Sequence, residues 1–174
     1  NCPIVIRTPM GGGRGYGPTH SQTLDKFLVG IDNFSVIALN SFIDPKLIYE
    51  SLHNNEIHPA LVIENKLDYG RFVGSQKLDF YDLKRSLDLY PIVLCSPVLD
   101  TPSVTIVTYG GISSNVLEVL HSIFQFTGLI PELIVLSKIS PLDISPIIES
   151  VKKTRRIITI EEGSKEFGIG AEII

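Results

Sequence analysis

Seven short runs of apolar, mostly β-branched residues recur along this 174-residue chain, and they limit its fold more than any other feature. Each run is continuous and does not alternate with polar residues, which is typical of a strand buried on both faces of a sheet. The runs predict strands at residues 3–7, 34–39, 60–64, 91–95, 104–108, 132–136 and 156–160.

Three helical segments lie between these runs, at residues 44–53, 113–126 and 140–153. Pro45 suits a first helical turn, and the second segment repeats its apolar residues on one stripe. The third opens with Ser-Pro-Leu-Asp, so Ser140 is predicted to cap it and Asp143 to complement its dipole. Strands alternating with helices predict a mostly parallel, three-layer α/β fold.

Residues 71–90 break this rhythm, because they mix charges and show no clean period. They predict a connection between two α/β units, with a short helix as an option, and a boundary near residue 90. We expect a hinge between residues 71 and 103 and no single sheet continuing through it.

Composition excludes several classes of protein. The chain is 44% hydrophobic with a formal net charge of -4, and it has no long basic run, so a nucleic acid partner is not expected. No apolar run approaches the ~18 residues that cross a membrane. Cys2 and Cys95 suit neither a metal site nor a disulfide framework. No signal or transit peptide is recognisable at Asn1, where the chain is expected to begin inside a domain.

The stretch GGGRGYGPTHSQ, at residues 11–22, is the strongest candidate for chemistry. Glycine lets a ligand approach the main chain closely, and histidine exchanges protons near neutral pH. The stretch therefore predicts a reactive edge that carries His20, with an ordinary surface turn as the alternative. Its glycines fit neither a phosphate loop nor G-x-G-x-x-G in any register, which argues against a nucleotide site.

Other polar residues are weaker candidates. His53, His58 and His121 have no acidic or cysteine partner at ligand spacing, so no metal site is predicted. Glu161 and Glu162 are adjacent, and neighbours in a strand point to opposite faces. A structural or interface role is therefore favoured for both over paired acid–base chemistry.

Four segments together carry a resemblance to one family: PIVIRTP, GPTHSQ, HPALVIENKLDYG and ISPLDISPIIESVKKTRRIITIEEGSKEFGIGAEI. They resemble the beta subunit, or the beta half of a fused chain, of the thiamine diphosphate-dependent 2-oxo acid dehydrogenases. That group includes the pyruvate and branched-chain enzymes. The resemblance is strong over residues 3–70 and 104–173 and weaker between them. GPTH is shared with transketolase and deoxyxylulose-phosphate synthase, so a sugar-transferring relative is one alternative, and a non-catalytic α/β assembly module is another.

The resemblance also implies a domain organisation. Residues 1–88 resemble the second half of a parallel-sheet pyrimidine-binding domain, with residues 71–90 as the connection. Residues 90–174 resemble an incomplete transketolase-type C-terminal domain, so the chain is expected to be a fragment truncated at both ends. The family's activating glutamate, and the groups that bind the diphosphate and its magnesium, would then lie outside this chain. The isolated fragment is expected to be inactive.

For the site, the resemblance implies that His20 is catalytic. It would assist proton transfers and stabilise charge as the acyl group passes to a lipoyl arm. Ser21 and Gln22 would orient His20, with a helix N-cap as the alternative role for Ser21. Glu64 and Asn65, at the end of a strand, would lie near the cofactor. Some family members hold potassium near that turn, but the preceding NNEIHP is longer here, and no metal ligand is assigned.

The implied partners are an alpha component, a second beta copy and a lipoyl-bearing acyltransferase. Neither a nucleic acid nor a membrane is expected as a partner. A homo-oligomer is expected. The expected compartment is the cytoplasm for a bacterial protein and the mitochondrial matrix or the plastid for a eukaryotic one.

Overall fold

A computed structural model describes residues 2–74 and 78–174, and it forms two sheets in a mixed α/β fold. Sheet A has the order β1-β3-β2-β8 and sheet B the order β4-β5-β7-β6-β9. Sheet A contains β1 (Val5–Met10), β2 (Ser35–Ala38), β3 (Ala60–Asn65) and β8 (Lys138–Ser140). Sheet B contains β4 (Tyr81–Arg85), β5 (Val93–Pro97), β6 (Val104–Tyr109), β7 (Pro131–Leu136) and β9 (Ile157–Ile160).

The pairing is parallel at the centre of each sheet, as the apolar runs predict. Strand β3 lies between β1 and β2 in parallel register, and β6 lies between β7 and β9 in the same way. Antiparallel strands lie at the margins. In sheet A, β8 pairs with β2. In sheet B, β5 pairs with β7, and β4 pairs with β5 at the edge. The predicted α/β class is confirmed.

The helices are α1 (Pro45–Asn55), α2 (Ile112–Thr127), α3 (Ser145–Thr154) and α4 (Ile169–Ile173). Asp44 caps α1, because its side chain accepts a hydrogen bond from the Lys46 amide at 2.9 Å. The prediction that Ser140 caps the third helix is wrong. Ser140 ends β8, whose backbone pairs with β2, so the helix begins later, at Ser145. Among the described residues, no helix is long and apolar enough to cross a membrane.

Two strand predictions also need correction. Strand β1 is not buried on both faces: Val5 is 41% and Ile6 44% exposed. The reason is its place at the edge of sheet A, with β3 as its one neighbour in the described part of the chain. The segment 71–90 contains strand β4 instead of the optional short helix, although residues 75–77 lie outside the described residues.

The two sheets share one core. Ile37 and Val62 of sheet A belong to the same buried cluster as Val93, Ile106 and Leu133 of sheet B. Within the described residues, β4 and β5 of the 71–103 region belong to sheet B, and β8 from the second half of the chain completes sheet A. The domain limits at 1–88 and 90–174 stay a prediction.

Candidate functional site

The glycine-rich loop leaves the carboxyl end of β1 and passes close to the end of β3. Met10 is paired in register with Asn65. Gly11, which follows, has a φ of +99°, and a Cβ there would lie 2.6 Å from Asn65 Nδ2. Only glycine satisfies both conditions, because side chains disfavour that φ and the space is already filled.

His20 lies at the end of a short 3₁₀ helix, Pro18–His20, and it is exposed. The backbone carbonyl of His20 accepts a hydrogen bond of 2.6 Å from Lys66 Nζ, so the middle of the loop is attached to the turn after β3. An exposed imidazole on a tethered loop can exchange protons with a bound ligand.

Ser21 and Gln22 follow this 3₁₀ helix directly. Ser21 is half-buried at its carboxyl end, so an N-cap role for Ser21, the alternative to orienting His20, is wrong. Gln22 is exposed. Both residues therefore stay with His20 at the loop surface.

Asn65 and Glu64 point to opposite sides of β3, as neighbours in a strand must. Asn65 Oδ1 accepts from the Leu67 amide at 2.8 Å, and its Nδ2 donates to Glu162 Oε2 at 3.2 Å. Asn65 therefore faces the start of the glycine-rich loop, which Gly11 and Gly12 form.

Glu64 is only 5% exposed, and its carboxylate binds several donors. Arg7 donates from Nε at 2.8 Å and from Nη2 at 3.1 Å, Tyr49 from its hydroxyl at 2.5 Å and Tyr69 at 2.7 Å. Burial alone would raise the pKa of Glu64, but the hydrogen bonds from Arg7, Tyr49 and Tyr69 outweigh it and hold this pKa below its ordinary value. A carboxylate satisfied in this way is built to hold the fold together.

A second buried carboxylate was not found by sequence reasoning. Asp25 is 2% exposed and accepts a 2.5 Å hydrogen bond from the Tyr109 hydroxyl, which also lies 3.2 Å from Glu161 Oε2. Burial, the largest cause, and the two carboxylates raise the pKa of Tyr109. Nothing near Asp25 in the sequence signals this contact, because Tyr109 is 84 residues away.

The carboxyl ends of the parallel strands of both sheets thus meet at one place. Strands β1 and β3 of sheet A bring Gly12 and Asn65, and β9 of sheet B is followed by Glu162, which accepts hydrogen bonds from both. Ligands of α/β proteins bind at such strand ends. In the described part of the chain, no group of three or more histidine, cysteine or acidic side chains could hold a metal ion.

Known proteins share this architecture. Residues 97–174 match the family described as Transketolase, C-terminal domain. A solved structure of a split-gene transketolase, an inactive beta4 tetramer, matches 97% of this chain and 51% of its own chain. Its TM-score is 0.65 at 18% sequence identity, which is a likeness of fold. The fold of this chain is therefore similar to that of transketolase.

Curated proteins are also similar to this chain in sequence. The chain is 34% identical over 177 residues to "Pyruvate dehydrogenase E1 component subunit beta" of Gracilaria tenuistipitata var. liui. The aligned region covers 99% of this chain and 50% of that protein. The subunit of the same name from Rickettsia bellii is 34% identical over 173 residues, with the same shares covered. This similarity over almost the whole chain supports the resemblance to the beta subunits of the 2-oxo acid dehydrogenases that the sequence motifs carry. The chain spans about half the length of the curated relatives it matches.

Proposed function

We propose that this chain is part of the beta component of a thiamine diphosphate-dependent 2-oxo acid dehydrogenase. Such an enzyme decarboxylates a 2-oxo acid oxidatively and transfers the acyl group to a lipoyl domain. The similarity of the whole chain to pyruvate dehydrogenase beta subunits supports the proposal. The observation that supports it most is the glycine-rich loop, in which His20 is exposed and its carbonyl accepts a hydrogen bond from Lys66, directly after β3.

His20 is the proposed proton carrier. Thiamine diphosphate, when bound, supplies the carbanion chemistry, and the protein supplies position and electrostatics. The imidazole donates or accepts a proton at the substrate side of the site, and a positioned group of this kind contributes about 10²–10⁴-fold to a rate. Ser21, Gln22 and Asn65 border the loop and are proposed to line the cofactor's approach. Glu64 is proposed to lie near the cofactor as well, and the four hydrogen bonds that it accepts support the end of β3.

The proposed partners follow from the same reasoning. An alpha component would supply the diphosphate and magnesium site, as the resemblance to the family implies. A second beta copy would complete the oligomer, and a lipoyl-bearing acyltransferase would receive the acyl group. Relatives include subunits named as mitochondrial and as chloroplastic, so the matrix and the plastid are proposed alongside the bacterial cytoplasm.

The test is His20→Ala in the complete enzyme, assayed by reductive acylation of a lipoyl domain. We expect the rate to fall about 10²-fold, because alanine neither donates nor accepts a proton. His53→Ala, at an exposed position of α1, is the matched control and should leave the rate unchanged. Normal acyl transfer by folded His20→Ala enzyme would refute the proposed role.

A further inference from the structure

The loop that carries His20 is attached at both ends to one short segment of the second half of the chain, residues 161–166. At the start of the loop, the Gly12 amide donates a 2.6 Å hydrogen bond to Glu162 Oε1. At its end, Lys26 Nζ donates to Ser164 Oγ at 2.8 Å and to the Glu166 carbonyl at 3.1 Å. Residues 161–166 therefore fix the distance between the two ends of the loop.

Glu162 is suited to this task because both of its partners are donors. One oxygen accepts from the Gly12 amide and the other accepts from Asn65 Nδ2. A carboxylate offers two acceptors, whereas the amide of glutamine offers one acceptor and one donor group. Glutamine at position 162 must therefore leave Gly12 or Asn65 without its partner.

Asn65 cannot relieve this conflict by turning its amide over. Its Oδ1 already accepts from the Leu67 amide at 2.8 Å, so its Nδ2 must face Glu162. The Asn65 side chain is also enclosed between Gly11 and Gly111, where an added Cβ at either position would collide with it. The contact is thus specific for a carboxylate.

We propose that the 161–166 segment positions the catalytic loop and that Glu162 is a positioning residue for His20. The proposal rests on the proposed function of His20. Residues 162 and 12 are 150 positions apart, so the segment after β9 of sheet B determines how a loop of sheet A is presented. Any shift of sheet B against sheet A would move the loop and its histidine.

Hydrogen exchange of this chain tests the contact directly. Glu162→Gln should speed amide exchange over residues 12–24 by about tenfold, the effect of losing one hydrogen bond to a charged group. Amides of β6 should be unaffected. Glu172→Gln, at an exposed acid of α4, is the matched control and should change neither region. Unchanged exchange at residues 12–24, or an equal change in the control, would overturn the proposal.

A second variant covers the case in which Glu162→Gln disturbs the whole fold. Lys26→Met removes the other attachment without touching Glu162, and it should speed exchange at residues 22–26 alone. Protection that stays at the original level there would show that the 161–166 segment does not restrain the loop.

In the complete enzyme, positioning predicts a lower kcat with little change in KM for the 2-oxo acid. We expect kcat of Glu162→Gln to fall about tenfold and KM to stay within about twofold, since the group that moves is the proton carrier. A normal kcat together with a loosened loop would contradict positioning. If His20→Ala itself retained acyl transfer, the proposed function would fail, and hydrogen exchange would still decide whether the segment holds the loop.

Discussion

Glu64 and Asn65 are neighbours at the end of β3, and the two sides of the strand that they face have opposite characters. On the Glu64 side, one buried carboxylate accepts hydrogen bonds from Arg7, Tyr49 and Tyr69. On the Asn65 side, Glu162 and Lys66 hold a loop whose histidine is exposed. A saturated cluster stabilises, while a tethered and accessible group can react. Glu64 and Asn65 were both candidate site residues in the sequence, and the surroundings of their side chains distinguish them.

The largest effect is expected from removing the Glu64 carboxylate. Glu64→Ala leaves the Tyr49 and Tyr69 hydroxyls and the Arg7 guanidinium without their acceptor. Since Arg7 and Tyr69 are exposed and can bond to water instead, we expect the free energy of unfolding to fall by about 1.5 kcal/mol in urea denaturation. Glu118→Ala, at an exposed position of α2, should cost less than about 0.5 kcal/mol. Equal losses in the two variants would show that the cluster does not stabilise the fold.

A smaller effect is expected from pH. The folded-state pKa of Glu64 lies below its ordinary value of 4.5, so the unfolded chain binds the proton more readily. The stability that Glu64 contributes is therefore complete above about pH 4.5 and is lost as the pH falls toward the folded-state pKa. Burial raises the pKa of Asp68 above its ordinary value of 3.8. Asp68 therefore makes the free energy of unfolding fall as the pH rises above about 3.8, which is the opposite dependence.

Urea denaturation of the protein and of Glu64→Gln, between about pH 3 and pH 6, isolates the contribution of Glu64. The difference between their free energies of unfolding should shrink as the pH falls. A constant difference would mean that the charge of Glu64 is not what the cluster recognises.

Sequence reasoning found the central strands because each has enough apolar residues to be recognised locally. It missed β4, in which Asp82, Lys84 and Arg85 mark a charged edge, and β8, which has only three residues. It also gave β1 two buried faces, because an apolar run does not reveal whether the layers above and below the sheet extend over that strand.

The site was also predictable only where its signal lies in neighbouring residues of the sequence. Glycine, proline and histidine in one loop are a local signal, so His20 could be proposed from the sequence. Alternation along β3 implies that Glu64 and Asn65 diverge, although it does not say which side faces the loop. The partners of Glu162 and Asp25 lie 150 and 84 residues away, and only the packing of the two sheets brings them together.

We propose that the Asn65 side of β3, with its His20 loop, carries the chemistry and that the Glu64 side stabilises the fold. The most direct measurement is turnover per folded molecule in the complete enzyme, with His20→Ala and Glu64→Gln compared at a temperature where both stay folded. We predict that His20→Ala loses about 10²-fold in turnover at near-normal stability, while Glu64→Gln loses stability and keeps turnover within about threefold. A large loss of turnover in Glu64→Gln, with His20→Ala unimpaired, would contradict the account.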